Sequence, residues 1–595
     1  MKFQRILLLL LTLVSPALCA SPPPNIVFVI TDDQGYGDLA CLGNPILETP
    51  HLDQLHSESS RLTDYHVSPT CAPTRGALMS AHYTNRCGPW HTVMGRSFLF
   101  EGEKTFGDTF SAHGYTTGMF GKWHLGDNYP FRPEDRGFTE VVRHGAGGVG
   151  QSPDNWDNAY FDDTYFHNGS PKKFSGYCTD VYFREAKRFI KESIAHKKPF
   201  LAYISPNAPH GPFHCPEKYW QPYVPLLKDQ LGKNAERVAI FYGMIANIDE
   251  NIGNLRSWLT EQGLSDNTIF IFTTDNGTAS GEKIFNSGMK GKKGSAYDGG
   301  HRVPFFIHWP NGGLTKGTDI PQLTAHIDIL PTLLDLSGLP PLEDSYQPDG
   351  LSLAPLLKNP EIPWQDRTII TDSQRVRDPI KWRQSSTMTQ RWRLINGEEL
   401  YDITADPGQT QNIAAKHPAV VKKLRADYDA WWADISPVFS TDARVIIGTQ
   451  NENPIHLTSH DWLTNDRTVP WNQQQIRAGQ EGTGKWALRV AEAGKYRITL
   501  RRWPAQSGAN ITASIPAGAP VPGLIAFREE PGKAIPAKSV TIEVANFSAQ
   551  KPVTADDSGI TFDVDLPAGD TYLTGTFIRE DGTKIGTYYV EIEKL

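Results

Sequence analysis

Basic charge is not in excess in this chain: 58 lysines and arginines stand against 66 aspartates and glutamates in 595 residues, a formal net charge of −8. Proteins that coat nucleic acid are usually basic, so the balance weighs against that class. An anionic small substrate would have to be drawn in by a local cluster of cations. Beyond residue 14 no apolar run is long enough to cross a bilayer, and no short-period repeat or low-complexity tract stands out. With 39% hydrophobic and 21% charged residues, the composition is that of a globular protein and excludes a disordered one. The length exceeds what a single core organises and predicts about two to four domains.

Cysteine is scarce too, with six in all. The N-terminus, MKFQRILLLLLTLVSPALCASPPP, places Lys2 and Arg5 before an apolar run from Ile6 to Val14, with small residues after it. Residues 1–20 therefore read as a secretory signal peptide, and the mature chain is expected to be exported, periplasmic or secreted, without stable membrane insertion. Loss of Cys19 would leave Cys41, Cys71, Cys87, Cys178 and Cys215. That is an odd number for a compartment in which disulfides form.

Short continuous apolar runs end abruptly in polar residues at NIVFVIT (25–31), PFLAYIS (199–205), TIFIFTT (268–274) and VPFFIH (303–308). Helical spacing runs over 179–196 and from 235 to Gly263. This alternation predicts an α/β domain with a mainly parallel sheet between helices, over residues 21–360. In such sheets the chemistry collects at the carboxyl ends of the strands. A smaller α+β unit is expected at 361–440. From 441 to 595 the pattern alternates with period two, as in KWALRVAEAGKYRITLRRW, and predicts an all-β, sandwich-like accessory module.

Asp32-Asp33 and Asp275-Asn276 each follow a predicted strand. Alone, either pair is also what an Asp-rich turn looks like. Together they offer four oxygen side chains, a set that selects Ca²⁺ or Mg²⁺ over zinc. Cys71-Ala72-Pro73-Thr74-Arg75 is the only place where a cysteine is followed by Pro and Arg at alternate positions. Pro73 suits a helix start, which would put Cys71 where backbone N–H groups favour an anion. GKWHLG carries Lys122 and His124 two residues apart, NAPHGP carries His210 past a strand end, and GMKGKKGSAYDGGHRVP gathers Lys290, Lys292 and Lys293 in a Gly-rich loop.

Taken in order, TDDQGYGD, CAPTRGALMS, GKWHLG, NAPHGP, TTDNG and GKKGSAYDGGHRVPF resemble the formylglycine-dependent (type I) sulfatases of the alkaline phosphatase superfamily, exported and arylsulfatase-like. ELYDITADPGQTQNIA extends the resemblance to about residue 435. The resemblance implies an alkaline-phosphatase-like fold and a sulfuric ester hydrolase. It implies that a formylglycine-generating enzyme oxidises Cys71 to formylglycine (3-oxoalanine), which leaves an even set of thiols whose pairing stays open. Asp32, Asp33, Asp275 and Asn276, with the modified Cys71, would hold a cation, Ca²⁺ before Mg²⁺. Arg75 would hold the modified residue, Lys122 and Lys293 the sulfate, and His124 and His210 would flank the reacting group. A hydrated aldehyde would attack sulfur, with S–O cleavage. Ser80-Ala81 and His301 depart from the family pattern.

Two other readings stay on the page: a phosphomonoester or phosphodiester hydrolase on the same fold, and an inactive sulfated-glycan binder. The substrate is expected to be a sulfated poly- or oligosaccharide. His144 and Trp156, in the long polar segment from 143, and Trp503 in the β module are the residues where sugar contacts are expected. The sulfate position, endo or exo action and the oligomeric state are not legible.

Overall fold

The computed structural model describes residues 22–466 and 469–595; the expected signal peptide lies outside the described residues. Ten strands form one sheet: β1 Asn25–Thr31, β2 Ser60–His66, β3 Thr116–Gly121, β4 Glu140–Arg143, β5 Thr164–His167, β6 Ser170–Lys173, β7 Phe200–Ser205, β8 Thr268–Thr274, β9 Phe305–His308 and β10 Asp319–Ala325. Their spatial order is β10-β2-β9-β8-β1-β7-β3-β4-β5-β6. The central strands β8, β1, β7, β3 and β4 run parallel. Antiparallel β9 on one side, and β5 and β6 on the other, make the whole sheet mixed.

The apolar runs are fully buried because the sheet is covered on both faces. Within β1, Val27 and Val29 join the core built on helices Cys178–Ala195 and Ala235–Glu261. Ile26, Phe28 and Ile30 point the other way, toward Phe106–Ala112 and Ile329–Leu336, as the two-residue period of a strand requires. Because β8, β1, β7 and β3 are parallel neighbours, the residues that follow them emerge on one edge. Those residues are Asp275, Asp32, Asn207 and Lys122.

A second, antiparallel sheet of β11 Ile369–Asp372, β12 Ser385–Met388, β13 Trp392–Ile395 and β14 Glu399–Asp402 packs with helix Pro418–Ile435. The rest is β: β15 Val445–Ile447, β17 Trp486–Val490, β19 Ala537–Val544, β20 Phe547–Pro552, β22 Gly569–Arg579 and β23 Lys584–Gly586 form one sheet. β16 Ile455–Thr458, β18 Gly494–Arg501, β21 Ile560–Leu566 and β24 Tyr589–Lys594 form the other, and both share one core.

That core also contains Val93, Met94, Phe98 and Phe131, supplied by loops of the α/β part. Met94 N–H donates to the His460 carbonyl (2.8 Å), and Leu524 N–H to the Phe213 carbonyl (2.9 Å). The last third of the chain thus grips loops at 91–98, 128–131, 151–157 and 213–215.

Of the two readings open to Trp503, exposed sugar platform or core residue, the structure takes the second. It is 1% exposed, donates Nε1–H to the Ala513 carbonyl (3.1 Å) and meets Trp156 edge-on at 5.7 Å. The segment from 143 is likewise no open loop. β5 and β6 interrupt it, and Asp154 accepts the N–H groups of Gly145 and Gly150. The five described cysteines are all free thiols.

Gly121 closes β3 with φ +117°, and a Cβ there would stand 2.0 Å from the Ser205 carbonyl oxygen. The same oxygen accepts Lys122 N–H at 2.7 Å. Gly121→Ala is expected to cost at least about 2 kcal/mol through forced φ and overlap. A denaturation midpoint equal to that of the wild type would show that the β3–β7 seam yields.

Candidate active site

Charge is packed at the carboxyl edge with almost no solvent. Asp32, Asp275, Arg75 and Lys122 are 0% exposed and Asp33 is 3% exposed. Lys122 Nζ donates to Asp32 Oδ2 at 2.6 Å, and Lys293 Nζ to Asp33 Oδ2 at 2.7 Å. Arg75 forks onto Asp275 Oδ2 through Nε (3.0 Å) and Nη2 (2.8 Å), and also donates to the Lys122 carbonyl and Ser205 Oγ. Three carboxylates therefore meet three cations, the arrangement that makes burial of charge tolerable.

The acidic side chains are also tied to one another. Asp33 N–H donates to Asp275 Oδ1 (3.1 Å), and Asn276 Nδ2 donates to Asp33 Oδ1 (2.9 Å). Asp33 adopts φ +69° to turn back toward its neighbours. Two buried oxygens are left without any partner, Asp32 Oδ1 and Asn276 Oδ1. Orphaned buried acceptors are costly, and a hard divalent cation is the group that satisfies them. The four oxygen side chains Asp32, Asp33, Asp275 and Asn276 fit such an ion.

Burial raises Asp32, and Lys122 opposes it. Burial would raise Asp33 as well, but Lys293 and His210 outweigh it and hold that carboxyl well below the usual range. Burial and the adjacent Asp32 charge raise Asp275. Lys293 is raised despite burial because Asp33 faces it, so its ammonium keeps its proton.

Helix Cys71–Ser80 opens at the same place. The Cys71 Sγ, carboxylate oxygens of Asp32 and Asp33, and a His210 ring nitrogen all lie within 4.8 Å of one another. Burial pushes the Cys71 thiol up, so it is held as a thiol and not as a nucleophilic thiolate. Thr74 Oγ1 donates to the Ser68 carbonyl (2.9 Å), which fixes the first turn. Downstream, Ser80 ends the helix and Ala81 closes it with φ +60°.

His124 donates Nε2–H to the Thr92 carbonyl at 2.9 Å, since that carbonyl can only accept. Its buried Nδ1 is then an unprotonated lone pair without a partner. Burial and Lys122 depress the ring well below the ordinary histidine value. His210 donates Nδ1–H to the Gly211 carbonyl (2.6 Å), and its Nε2 stands 3.8 Å from Asp33 Oδ2. Burial lowers it to about 3.

The structure gathers Asp32, Asp33, Cys71, Arg75, Lys122, His210, Asp275, Asn276 and Lys293 at one edge, with His124 beside Lys122. His144 is not part of the hydrogen-bonded cluster. It has no exposed surface and is lowered to about 3 by burial. Trp156 lies under Arg477 and against Trp503. Lys290 sits over the ring of Tyr297 and Lys292 pairs with Glu282, which leaves Lys293 as the loop lysine that enters the site. Sequence reasoning missed Ser205 and the Thr92 carbonyl, which no local motif marks; only the strand ending at Ser205 pointed to that edge.

The chain matches the family described as Sulfatase over residues 24–339 and the family described as N-sulphoglucosamine sulphohydrolase, C-terminal, over residues 291–430. Neither match extends past residue 430. Among similar proteins, the N-acetylgalactosamine-6-sulfatase of Mus musculus is 30% identical over 382 residues, 60% of this chain and 70% of that protein. The ulvan-active sulfatase of Formosa agariphila is 29% identical over 423 residues, 66% of this chain and 77% of that protein. The crystal structure titled Ps i-CgsB in complex with k-i-k-neocarrahexaose superposes with a TM-score of 0.62 at 26% identity, covering 70% of this chain and 94% of that one. The chain belongs to the sulfatase family, the type I sulfatases of the alkaline phosphatase superfamily, and is a sulfuric ester hydrolase.

Proposed function

We propose that this protein is an exported sulfatase that removes sulfate from a sulfated poly- or oligosaccharide, using formylglycine made from Cys71 and a calcium ion held by Asp32, Asp33, Asp275 and Asn276. The observation that carries the reading is the pair of orphaned buried oxygens, Asp32 Oδ1 and Asn276 Oδ1, beside the start of the helix that carries Cys71. Support for a glycan comes from relatives whose names refer to N-acetylgalactosamine and ulvan, and from the k-i-k-neocarrahexaose in a similar structure. The catalytic unit is read as 21–360, the subdomain as 361–440 and the β module as 441–595. Maturation would need a formylglycine-generating enzyme.

A calcium ion held by Asp32, Asp33, Asp275 and Asn276 would supply positive charge that acidifies an adjacent hydroxyl and offsets charge on sulfuryl oxygens. As its hydrate, residue 71 supplies two hydroxyls on one carbon, one to displace the alcohol from sulfur and one whose ionisation releases sulfate. The protein's own groups do the rest. Arg75 stays locked on Asp275 and fixes the helix start. Lys122 and Lys293 present ammonium groups to the sulfuryl oxygens. Lys293 carries the proton that the departing alkoxide needs, because Asp33 holds the ammonium charged; His210 Nε2 lines the same space. His124 Nδ1, kept unprotonated by the Thr92 contact and by burial, accepts the proton of the second hydroxyl.

Cys71→Ala is expected to lower kcat on sulfated oligosaccharides at least about 10³-fold. An unmodified thiol at position 71 in fully active protein, seen by mass spectrometry, would sink the assignment. Stripping divalent ions with EGTA should abolish turnover and calcium should restore it; activity that survives exhaustive chelation argues against the metal site. His124 works as a base, so activity rises with pH as Nδ1 loses its proton. With the ring depressed below its ordinary value of 6.5, the acid limb of kcat should lie below pH 6.5. His124→Gln should remove that limb and cost about 10²–10⁴ in kcat; a limb that persists in this variant assigns it elsewhere.

A further inference from the structure

Residues 373–384 join β11 to β12 and hold three non-glycine residues in left-handed backbone: Arg375 (φ +42°), Trp382 (φ +67°) and Gln384 (φ +43°). Strain of this kind persists only where surrounding packing imposes it. Here the clamps are visible. Trp382 stacks on Tyr428 with ring centroids 3.6 Å apart, and Arg383 Nε donates to the Gln374 carbonyl at 2.7 Å. The Arg377 carbonyl accepts Trp90 Nε1–H and Arg96 Nε–H, each at 3.1 Å, while Arg377 Nη1 donates to Asn465 Oδ1 at 2.8 Å. The loop is thus pinned between the turn at 90–96 and the β module.

Arg375 is the member of this loop that the pinning does not use. It is exposed, and among the described residues it makes no hydrogen bond or ion pair. Its Nη1 lies 3.6 Å from where a Cβ of Gly294 would stand, one residue past Lys293. Its charge bears on Lys293 and on His91, and His91 also faces Arg383 and His460. His460, from the β module, pairs its Nδ1 with Asp461 Oδ1 (2.7 Å), while its buried Nε2 has no partner. Its ring centroid is 6.3 Å from that of His124. The nearby acids are engaged elsewhere: Asp372 accepts from Asn85 and Gln374, and Asp378 lies 3.8 Å from Arg377.

Burial and then Arg375 lower His91 to about 3, so that ring is neutral, and the free positive group here is the Arg375 guanidinium beside the sulfate-facing lysine, which wants a second anion. We propose that Arg375 forms a subsite for an anionic substituent on the sugar next to the one that loses its sulfate. The subsite rests on the sulfated-glycan reading above. The planar fork of arginine suits a carboxylate or a sulfate ester equally, and a substrate with alternating anionic groups would engage Lys293 and Arg375 together. This makes the C-terminal parts of the chain determinants of specificity, acting beside the reacting sulfate.

The test compares three disaccharides with the same reacting sulfate and a neighbouring sugar that is neutral, a uronate or sulfated. Wild type is expected to favour one or both anionic neighbours. In Arg375→Ala the ratio of kcat/KM, anionic over neutral neighbour, should fall at least about tenfold, chiefly through KM. Arg375→Lys should recover only part of it, because an ammonium cannot fork. Equal melting temperatures would confirm that the variants fold, as expected for a side chain with no internal partner. Whichever anionic disaccharide loses its advantage identifies the substituent. A ratio that stays within twofold for both, or that changes only because the neutral substrate falls in parallel, overturns the subsite. If wild type desulfates none of the three, the glycan reading itself falls, and the subsite with it.

Discussion

Everything in this molecule's site follows from the need to neutralise charge where water is excluded. Three carboxylates leave the carboxyl ends of β1 and β8, and each has a cation within about one hydrogen bond. Arg75 comes from the helix after β2, Lys122 from the end of β3 and Lys293 from a loop after β8. A buried unpaired charge costs several kcal/mol, so none of these six can be moved independently. The parallel order β8-β1-β7-β3 is what places their origins side by side. The fold therefore does not merely display the site; the site's electrostatic balance depends on the strand order.

Within that balance the protons are placed unequally. Lys293 keeps its proton because Asp33 faces it, and His124 is kept from taking one by burial and by Lys122. One protonated and one unprotonated group thus coexist at the same edge of the sheet. Pushing titratable neighbours in opposite directions is how a single pocket serves both halves of a displacement and release cycle. The Thr92 carbonyl adds the finer control, since it dictates which imidazole nitrogen is free.

Much of the α/β architecture was legible because its strands are pure apolar runs with polar ends. NIVFVIT maps onto β1 residue for residue, and the helix expected from 235 spans Ala235–Glu261. The acid pairs after β1 and β8 were legible for the same reason, and the six ordered motifs named the family. The rest lacked a local signature. Trp503 reads like a surface aromatic but fills a core, because alternation in sequence does not say which face a partner sheet will cover. The segment from 143 is polar, yet its acids are spent on its own backbone N–H groups and it packs inward. Arg375 and His460 are brought toward the site by contacts across more than a hundred residues of chain, which no spacing rule anticipates.

The β module is tied to His124 through a single turn. The turn that offers its carbonyl to His124 also lends Val93, Met94 and Phe98 to the interior of the β module. Those side chains join the core that Tyr588, Tyr589, Val590 and Ile592 help to build, so the β module holds the turn in place. The β module thereby helps to fix which His124 nitrogen is free. A chain clipped within the β module would keep the acid cluster and Cys71 but lose the packing that orients the Thr92 carbonyl toward His124.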